Sequence, residues 1–432
     1  MTLYRARIAV LALGVVVGGA VRSGTPRVPL RPLGTIVARS TERLKSIWAI
    51  RPLSNGRVVV MDAIGRRVIL LDSSLKMLAV VADTTSGTAK AYGRFGGTIL
   101  SFTGDSSLYA DEASLAFLVI DPDGALARTF AIPRAAYGGV DYIGDHQSHA
   151  MYDGIGDIVS RVSIGFPPPD LPPGKLADTA TDLDSSVIVR ARLGTTLLDT
   201  VAALRDGRAR ALSPSGRPNC VVIDYLVNPL PMADDWTVLR DGTLAVVRAH
   251  DYHIDWIAPD GTRSATPPIE HVWVRMTDSA KVAAVDSVRG VDSLRDARLR
   301  SLRGMAPRST TPAPRFGECR AIVNGRAAQV NSYPPQYVDP SAVPDYLPPF
   351  IAADSEGLGA VQTDADGNIW IHATIGGPTD GGAQYDVVNR KGVLIDRIQI
   401  PGATIIMGYG PGVVYLISRD GDGYHLARAK IR

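Results

Sequence analysis

Apolar and polar positions in this chain alternate in short bursts, and the same kind of turn interrupts them repeatedly. "IWAIRPLSNGRVVVMDAIGRRVILLDSSLKMLAVV" (47–81) reads as strand, Asn-Gly turn, apolar strand, looser loop, third strand, polar turn and fourth strand. "DWTVLRDGTLAVVRAHDYHIDWIAPDGTRSATPPI" (235–269) and "GAVQTDADGNIWIHATIGGPTDGGAQYDVVNRKGVLIDRIQI" (359–400) repeat that order. Asn-Gly and Asp-Gly adopt positive φ cheaply, so each is read as a two-residue hairpin turn. The second turn recurs at Asp72-Ser73-Ser74, Asp260-Gly261 and Asn389-Arg390-Lys391-Gly392, and again at Asp121-Pro122-Asp123-Gly124.

Four antiparallel strands, repeated roughly every forty residues, describe the blade of a β-propeller. Six blades are expected, at 46–84, 96–133, 138–204, 233–269, 355–400 and 402–432, within one domain over 34–432. The third is interrupted by "IGFPPPDLPPGKLADTATD", and the last holds only three strands before the chain stops. A ring left open there would expose a sheet edge. "GTIVARS", Gly34 to Ser40, is therefore expected to supply the missing outer strand.

Residues 270–354 fall outside the repeat and are read as an insertion between blades four and five. From Thr277 to Gly304 the chain has an N-cap, a basic last turn and Val282, Val285, Val288, Val291 and Leu294 recurring at threes. That predicts a helix lying on the propeller, with a break at Gly290. The following "SYPPQYVDPSAVPDYLPPF" is too rich in proline for long strands or helices and is read as an extended segment across one face.

Composition agrees with a turn-rich all-β chain: 43 Gly, 30 Pro, 45% hydrophobic and 6% aromatic residues. Arg5 and Arg7, the apolar run Ile8–Val21 and the small residues Gly18-Gly19-Ala20 read as a signal peptide over 1–20, so the mature chain is expected in the periplasm or outside the cell. The run is short for a membrane span, and no stable membrane insertion is expected after its removal. Cleavage would take the formal charge from +3 to +1 by removing the two arginines. So balanced a charge does not predict a nucleic-acid partner. Cys220 and Cys319 are the only cysteines; in an oxidising compartment they form a pair or remain two buried thiols.

"LSNGRVVVMDAIGRRVILLD", "VLRDGTLAVVRAHDYHIDWIAPDG" and "DYLPPFIAADSEGLGAVQTDADGNIWIHA" resemble the NHL- and YVTN-like six-bladed β-propellers exported by bacteria. The resemblance covers most of 34–432, departs at blade three, and implies a fold more than an activity.

The chemistry is sparse. "DADGNIWIHA" (364–373) places Gly fourth and Ile375 twelfth, which fails the spacing of an EF-hand calcium loop and suits a hairpin. His146 and His149, and His250 with Asp251, His253 and Asp255, fall at strand ends or loops and are read as solvated or hydrogen-bonded rather than as zinc ligands. No Gly-x-Ser-x-Gly, Walker loop or dinucleotide fingerprint is present outside the signal segment. Propeller topology gathers the ends of second strands and the starts of first strands at one mouth of the channel. That places Asp62, Arg248, His250, His372 and Arg419, with Trp48, Trp236 and the insertion's Tyr346, on a candidate ligand-binding rim. The leading reading is a monomeric, non-catalytic binding or interaction scaffold for a protein or small-molecule ligand, with no catalytic residue assigned. The alternative is a lactonase-like hydrolase with calcium in the channel, which would activate water and polarise a carbonyl.

Overall fold

The computed structural model describes residues 28–87, 91–93, 97–111, 113–132, 150–163, 185–195, 198–207, 209–214, 220–302, 321–323, 326–351, 359–374, 382–402, 404–421 and 423–432. The expected signal peptide, His146, His149, Cys319 and "IGFPPPDLPPGKLADTATD" lie outside these residues, and so does the side chain of Cys220.

Six sheets form the propeller. Blade one contains Ala49–Pro52, Val58–Asp62, Arg67–Leu71 and Met77–Asp83 in spatial order. Blades two, three and four repeat this meander from Ile99–Ser101 to Leu126–Ala131, from Met151–Tyr152 to Leu198–Arg205, and from Asp235–Val238 to Arg263–Ala265. Blade five runs from Val361–Thr363 to Leu394–Gln399, and blade six contributes Thr404–Gly410, Val413–Asp420 and Gly423–Lys430. The closing strand is the expected one: Ile36–Arg39 pairs antiparallel with Gly423–Lys430. A second clasp was not anticipated. Leu30–Pro32 adds parallel to the outer strand of blade five, and Arg31 bonds both Asp396 (Nε to Oδ1, 2.9 Å) and the Ile431 carbonyl (2.8 Å).

Why the middle strands read as unbroken apolar runs is now clear. Val58 and Val60 pack toward blade six, while Val59 and Met61 pack toward blade two. Both faces of each blade are covered, so period-2 alternation separates two cores rather than core from solvent. One apolar cluster fills each of the six gaps between neighbouring blades, including that between six and one.

The hairpin turns differ from the expected two-residue type. Leu53 N–H bonds the Arg57 carbonyl (2.8 Å) and Gly56 N–H bonds the Leu53 carbonyl (3.0 Å), which encloses three residues. The pattern recurs at 239–243 and 364–368. Only the glycine takes positive φ, near +80° at Gly56, Gly242 and Gly367. This is a type I turn closed by a left-handed glycine, so Asn55 and its equivalents need no unusual backbone.

The insertion is larger than expected. Ala209–Pro214 and Cys220–Val227, between blades three and four, form a seventh sheet with Ala321–Val323 and Arg326–Tyr337. Cys220–Val227 and Arg326–Tyr337 run parallel. The twelve-residue strand corrects the expectation that proline forbids long strands here. Its register breaks between Asn331 and Gln336, and Pro334-Pro335 sit in that irregular stretch, where no ladder donor is needed. The helix, α1, spans Asp278–Leu302 without a break at Gly290, and Thr277 Oγ1 caps it by accepting from Ala280 N–H (3.2 Å). It packs through Ala284 and Val285 on Leu230, Val338 and Val343 of the insertion rather than on a blade. Val282 and Leu294 are exposed. A spacing of three rotates by 300° per step, so the ends of the stripe leave the buried face.

Candidate functional site

The antiparallel meander sends every second strand toward one face of the disc, and every first strand starts there. Trp48, Asp62, Trp236, Arg248, His250, His372 and Arg419 lie at these positions. Tyr346 arrives through the insertion, where it bridges Arg275.

Their surroundings differ. Asp62 is fully buried; Oδ1 accepts from Ser46 N–H (2.9 Å) and Gly65 N–H (2.9 Å), tying the loop after the second strand to the chain entering the blade. Any Cβ at residue 65 would fall 2.1 Å from that carboxylate, so glycine is required. Trp236 is buried between blades three and four, and Trp48 packs on the core between blades one and two. Arg248 is held by Asp255 (2.8 Å), Asp234 (2.7 Å) and the Ala203 carbonyl (2.9 Å). Burial disfavours its charge, but the two carboxylates prevail and raise its pKa above the ordinary arginine value. His250 is exposed, while His253 lies between Asp251 (2.9 Å) and Asp255 (3.0 Å). His372 stacks on Tyr385 (5.1 Å between centroids), and burial lowers its pKa. Tyr346 is exposed beside Trp273, and Arg419 is exposed and bonds the Gly421 carbonyl (3.2 Å). The eight residues are thus spread over blades one, four, five and six and the insertion.

A tighter constellation lies on the same face between blades three and four. Asp206 Oδ1 accepts from Ser186 Oγ (2.7 Å) and from Arg161 Nη2, and Arg161 Nε donates to Ser186 Oγ (2.8 Å). Asp206 Oδ2 is buried and has no hydrogen-bond partner among the described residues. Nearby, Asp235 accepts from its neighbour Trp236 N–H (2.9 Å) and from Val361 N–H of blade five (3.2 Å). Burial pushes the Asp235 carboxyl up to about 6 despite the opposing charge of Arg161. In the sequence the only signal was "ADDWTV", two consecutive acids entering an inner strand. Asp206, within "LRDGR", looks like one more turn residue.

The "DADGNIWIHA" turn is occupied by its own structure. Asp364 Oδ1 accepts from Asp366 N–H and Asn368 N–H (both 2.9 Å), and Oδ2 accepts from Asn368 Nδ2 and Trp370 Nε1 (both 3.0 Å). It holds the turn and the buried tryptophan. A cleft of about 460 Å³ opens beside it between blades five and six, where Asp366, Lys430 and Arg432 meet Trp370 and Val413. That cleft is on the face opposite the candidate mouth.

Calcium in the channel would need several converging oxygen ligands. Among the described residues no group of three or more His, Cys, Asp or Glu side chains is arranged to hold a metal ion. Asp206 and Asp235 share their surroundings with Arg161, whose charge opposes a divalent cation.

No protein-family model matches the chain, and no curated protein matches it in sequence. Among solved structures, a gluconolactonase from Xanthomonas campestris is 13% identical, with 94% of this chain and 99% of that one covered and a TM-score of 0.37. A member of the DUF4221 family from Bacteroides vulgatus is 10% identical, with 93% and 95% covered and a TM-score of 0.40. Virginiamycin B lyase from Staphylococcus aureus is 10% identical, with 91% and 97% covered and a TM-score of 0.35. Likeness of that degree carries no argument about activity; the propeller fold itself is given by the six blades.

Proposed function

We propose that this propeller is a binding module that takes a small molecule rich in hydrogen-bond donors at the mouth between blades three and four. One observation carries the reading: Asp206 Oδ2 is a buried acceptor without a partner among the described residues, held in place by Arg161 and Ser186. A buried polar atom left unpaired costs about 1–3 kcal/mol, and a ligand hydroxyl or ammonium donor would remove that cost. Asp235, buried alongside, adds a second carboxyl whose proton changes hands near pH 6.

The test is a thermal-shift screen of amines and polyols against the wild type and Asp206→Asn. A ligand that stabilises only the folded form raises the melting temperature as its concentration exceeds Kd. The expected result is stabilisation of the wild type that the variant loses. If nothing in the screen separates the two proteins, the reading fails.

A hydrolytic reading has one observation in its favour: a carboxyl titrating near 6 suits general acid–base work. Melting curves with chelator and then with added calcium, together with assays of ester and lactone hydrolysis, decide it. A calcium-dependent rise accompanied by turnover would replace the binding reading. Export is also proposed, from the signal segment alone, and cell fractionation tests it.

A further inference from the structure

The gap between blades four and five contains a second concentration of unsatisfied polar atoms, away from Asp206. Tyr252 Oη, His271 Nε2 and Thr374 Oγ1 are all buried and lack hydrogen-bond partners among the described residues. All three residues lie at the mouth end of blades four and five. Tyr252 belongs to the core shared by the two blades, and its ring meets the edge of His271 at 5.2 Å between centroids. Ala373 N–H bonds the Gln384 carbonyl (3.0 Å), which sets Thr374 beside Gln384 at the end of the blade-five hairpin. Gln384 and Asp386 share one face of their strand with Val388, and Val388 packs against blade four. The Gln384 side chain and Arg397 both act on the Asp386 carboxylate, Arg397 Nε donating to it at 3.2 Å.

Such grouping has a physical meaning. Buried polar atoms are nearly always paired, and an unpaired cluster implies a polar occupant. Tyr252 also keeps a left-handed backbone, φ +47°, which costs a non-glycine residue about 1 kcal/mol or more and is retained chiefly where a side chain must be aimed. Over the cluster cross two segments of the insertion, joined by Leu347 N–H to the Val274 carbonyl (2.9 Å) and Met276 N–H to the Asp345 carbonyl (2.8 Å). Trp273 and Phe350 bring aromatic rings to this roof, against His271 and Tyr252 respectively.

We infer that the mouth end of the gap between blades four and five is a binding site for a small neutral polyhydroxy compound of monosaccharide size, admitted when the crossing segments lift. The chemistry selects neutrality. Burial with the nearby Arg397 pushes the His271 imidazole down to about 4, so it is uncharged at neutral pH, and the Tyr252 phenol is neutral as well. An anion would meet Asp386 and a cation would meet Arg397, each already paired with the other. Two hydroxyls and an imidazole offer both donors and acceptors, beside aromatic rings that suit the C–H faces of a sugar ring.

The experiment is calorimetric titration of the full chain with glucose, galactose, xylose and inositol, with glucuronate as the charged counterpart. Wild type, Thr374→Val, His271→Phe and Asp206→Asn are compared. Saturable binding of a neutral sugar is expected, at least tenfold weaker in Thr374→Val and His271→Phe. Thr374→Val should melt no lower than the wild type, since it replaces an unpaired hydroxyl by a methyl of the same shape. Absence of sugar binding by the wild type would mean ordered water only and would overturn the proposal. Binding abolished by Asp206→Asn but indifferent to Thr374→Val would overturn it too, assigning the sugar to the other gap; failure of the Asp206 reading alone leaves this result untouched.

Discussion

The two gaps flanking blade four solve the same problem in opposite ways. Between blades three and four, polar groups are buried as charges: Arg161 stands against Asp206, with Asp235 near by. Between blades four and five, the unsatisfied groups at the mouth end are neutral, and the ion pair beside them, Asp386 with Arg397, is already closed on itself. The difference teaches that a blade interface tolerates polarity either by counter-charge or by removing charge, and that the two respond to pH with opposite sign.

The comparison is broken most severely by opening the ring. Deleting Gly34–Ser40 removes the outer strand of blade six and should cost several kcal/mol, because a paired edge becomes exposed. Both gaps should then lose amide protection together in hydrogen exchange; an unchanged melting curve would show that closure does not depend on this strand.

Next in size is Arg161→Met. It leaves Asp206 and Asp235 buried without their shared counter-charge and should destabilise by about 3–5 kcal/mol in denaturant titration. A loss below ~1 kcal/mol would mean that the acids are solvated.

Asp235→Asn acts in the other direction. The folded-state pKa near 6 exceeds the ordinary value, so the folded protein holds the extra proton between about pH 4 and 6. Wild-type stability from this group is therefore present at low pH and lost as pH rises through that window. The amide variant should abolish this slope and be about 1–3 kcal/mol more stable at pH 7.

His271→Phe gives the mirror image. A folded pKa near 4, below the ordinary 6.5, means that the unfolded chain binds the proton first, so stability rises between pH 4 and 6.5 and is lost on acidification. The half-buried ring makes this contribution the smallest, about 1–2 kcal/mol. Equal slopes in the variant and the wild type would show that the imidazole is charged or solvated.

How much of this was legible in the sequence follows from how local each signal is. The blades were, because Gly56, Gly242 and Gly367 mark the same turn each time and the strands between them are short. Closure by Gly34–Ser40 was, because an incomplete blade six demands a partner. The pairing of Cys220–Val227 with Arg326–Tyr337 was not: parallel neighbours a hundred residues apart share no turn. The rim residues share one face of the disc, as strand order alone dictates, but Asp62 and Trp236 are absorbed by turn-holding and packing. Arg161, Ser186 and Asp206 come from three strand ends of blade three, and no spacing in the chain announces that they meet.

The strand that completes blade six also sets a timetable. Ile36 pairs with Ala429, so the strand waits for a partner made about 390 residues later. At roughly 5–20 residues per second, ribosomal synthesis leaves that strand without its partner for roughly 20–80 s. For that interval the nascent chain carries an unpaired, partly apolar edge at each end of a growing arc. A folding helper that shields Ile36–Arg39 during synthesis would therefore improve the yield of the finished ring without altering its final stability.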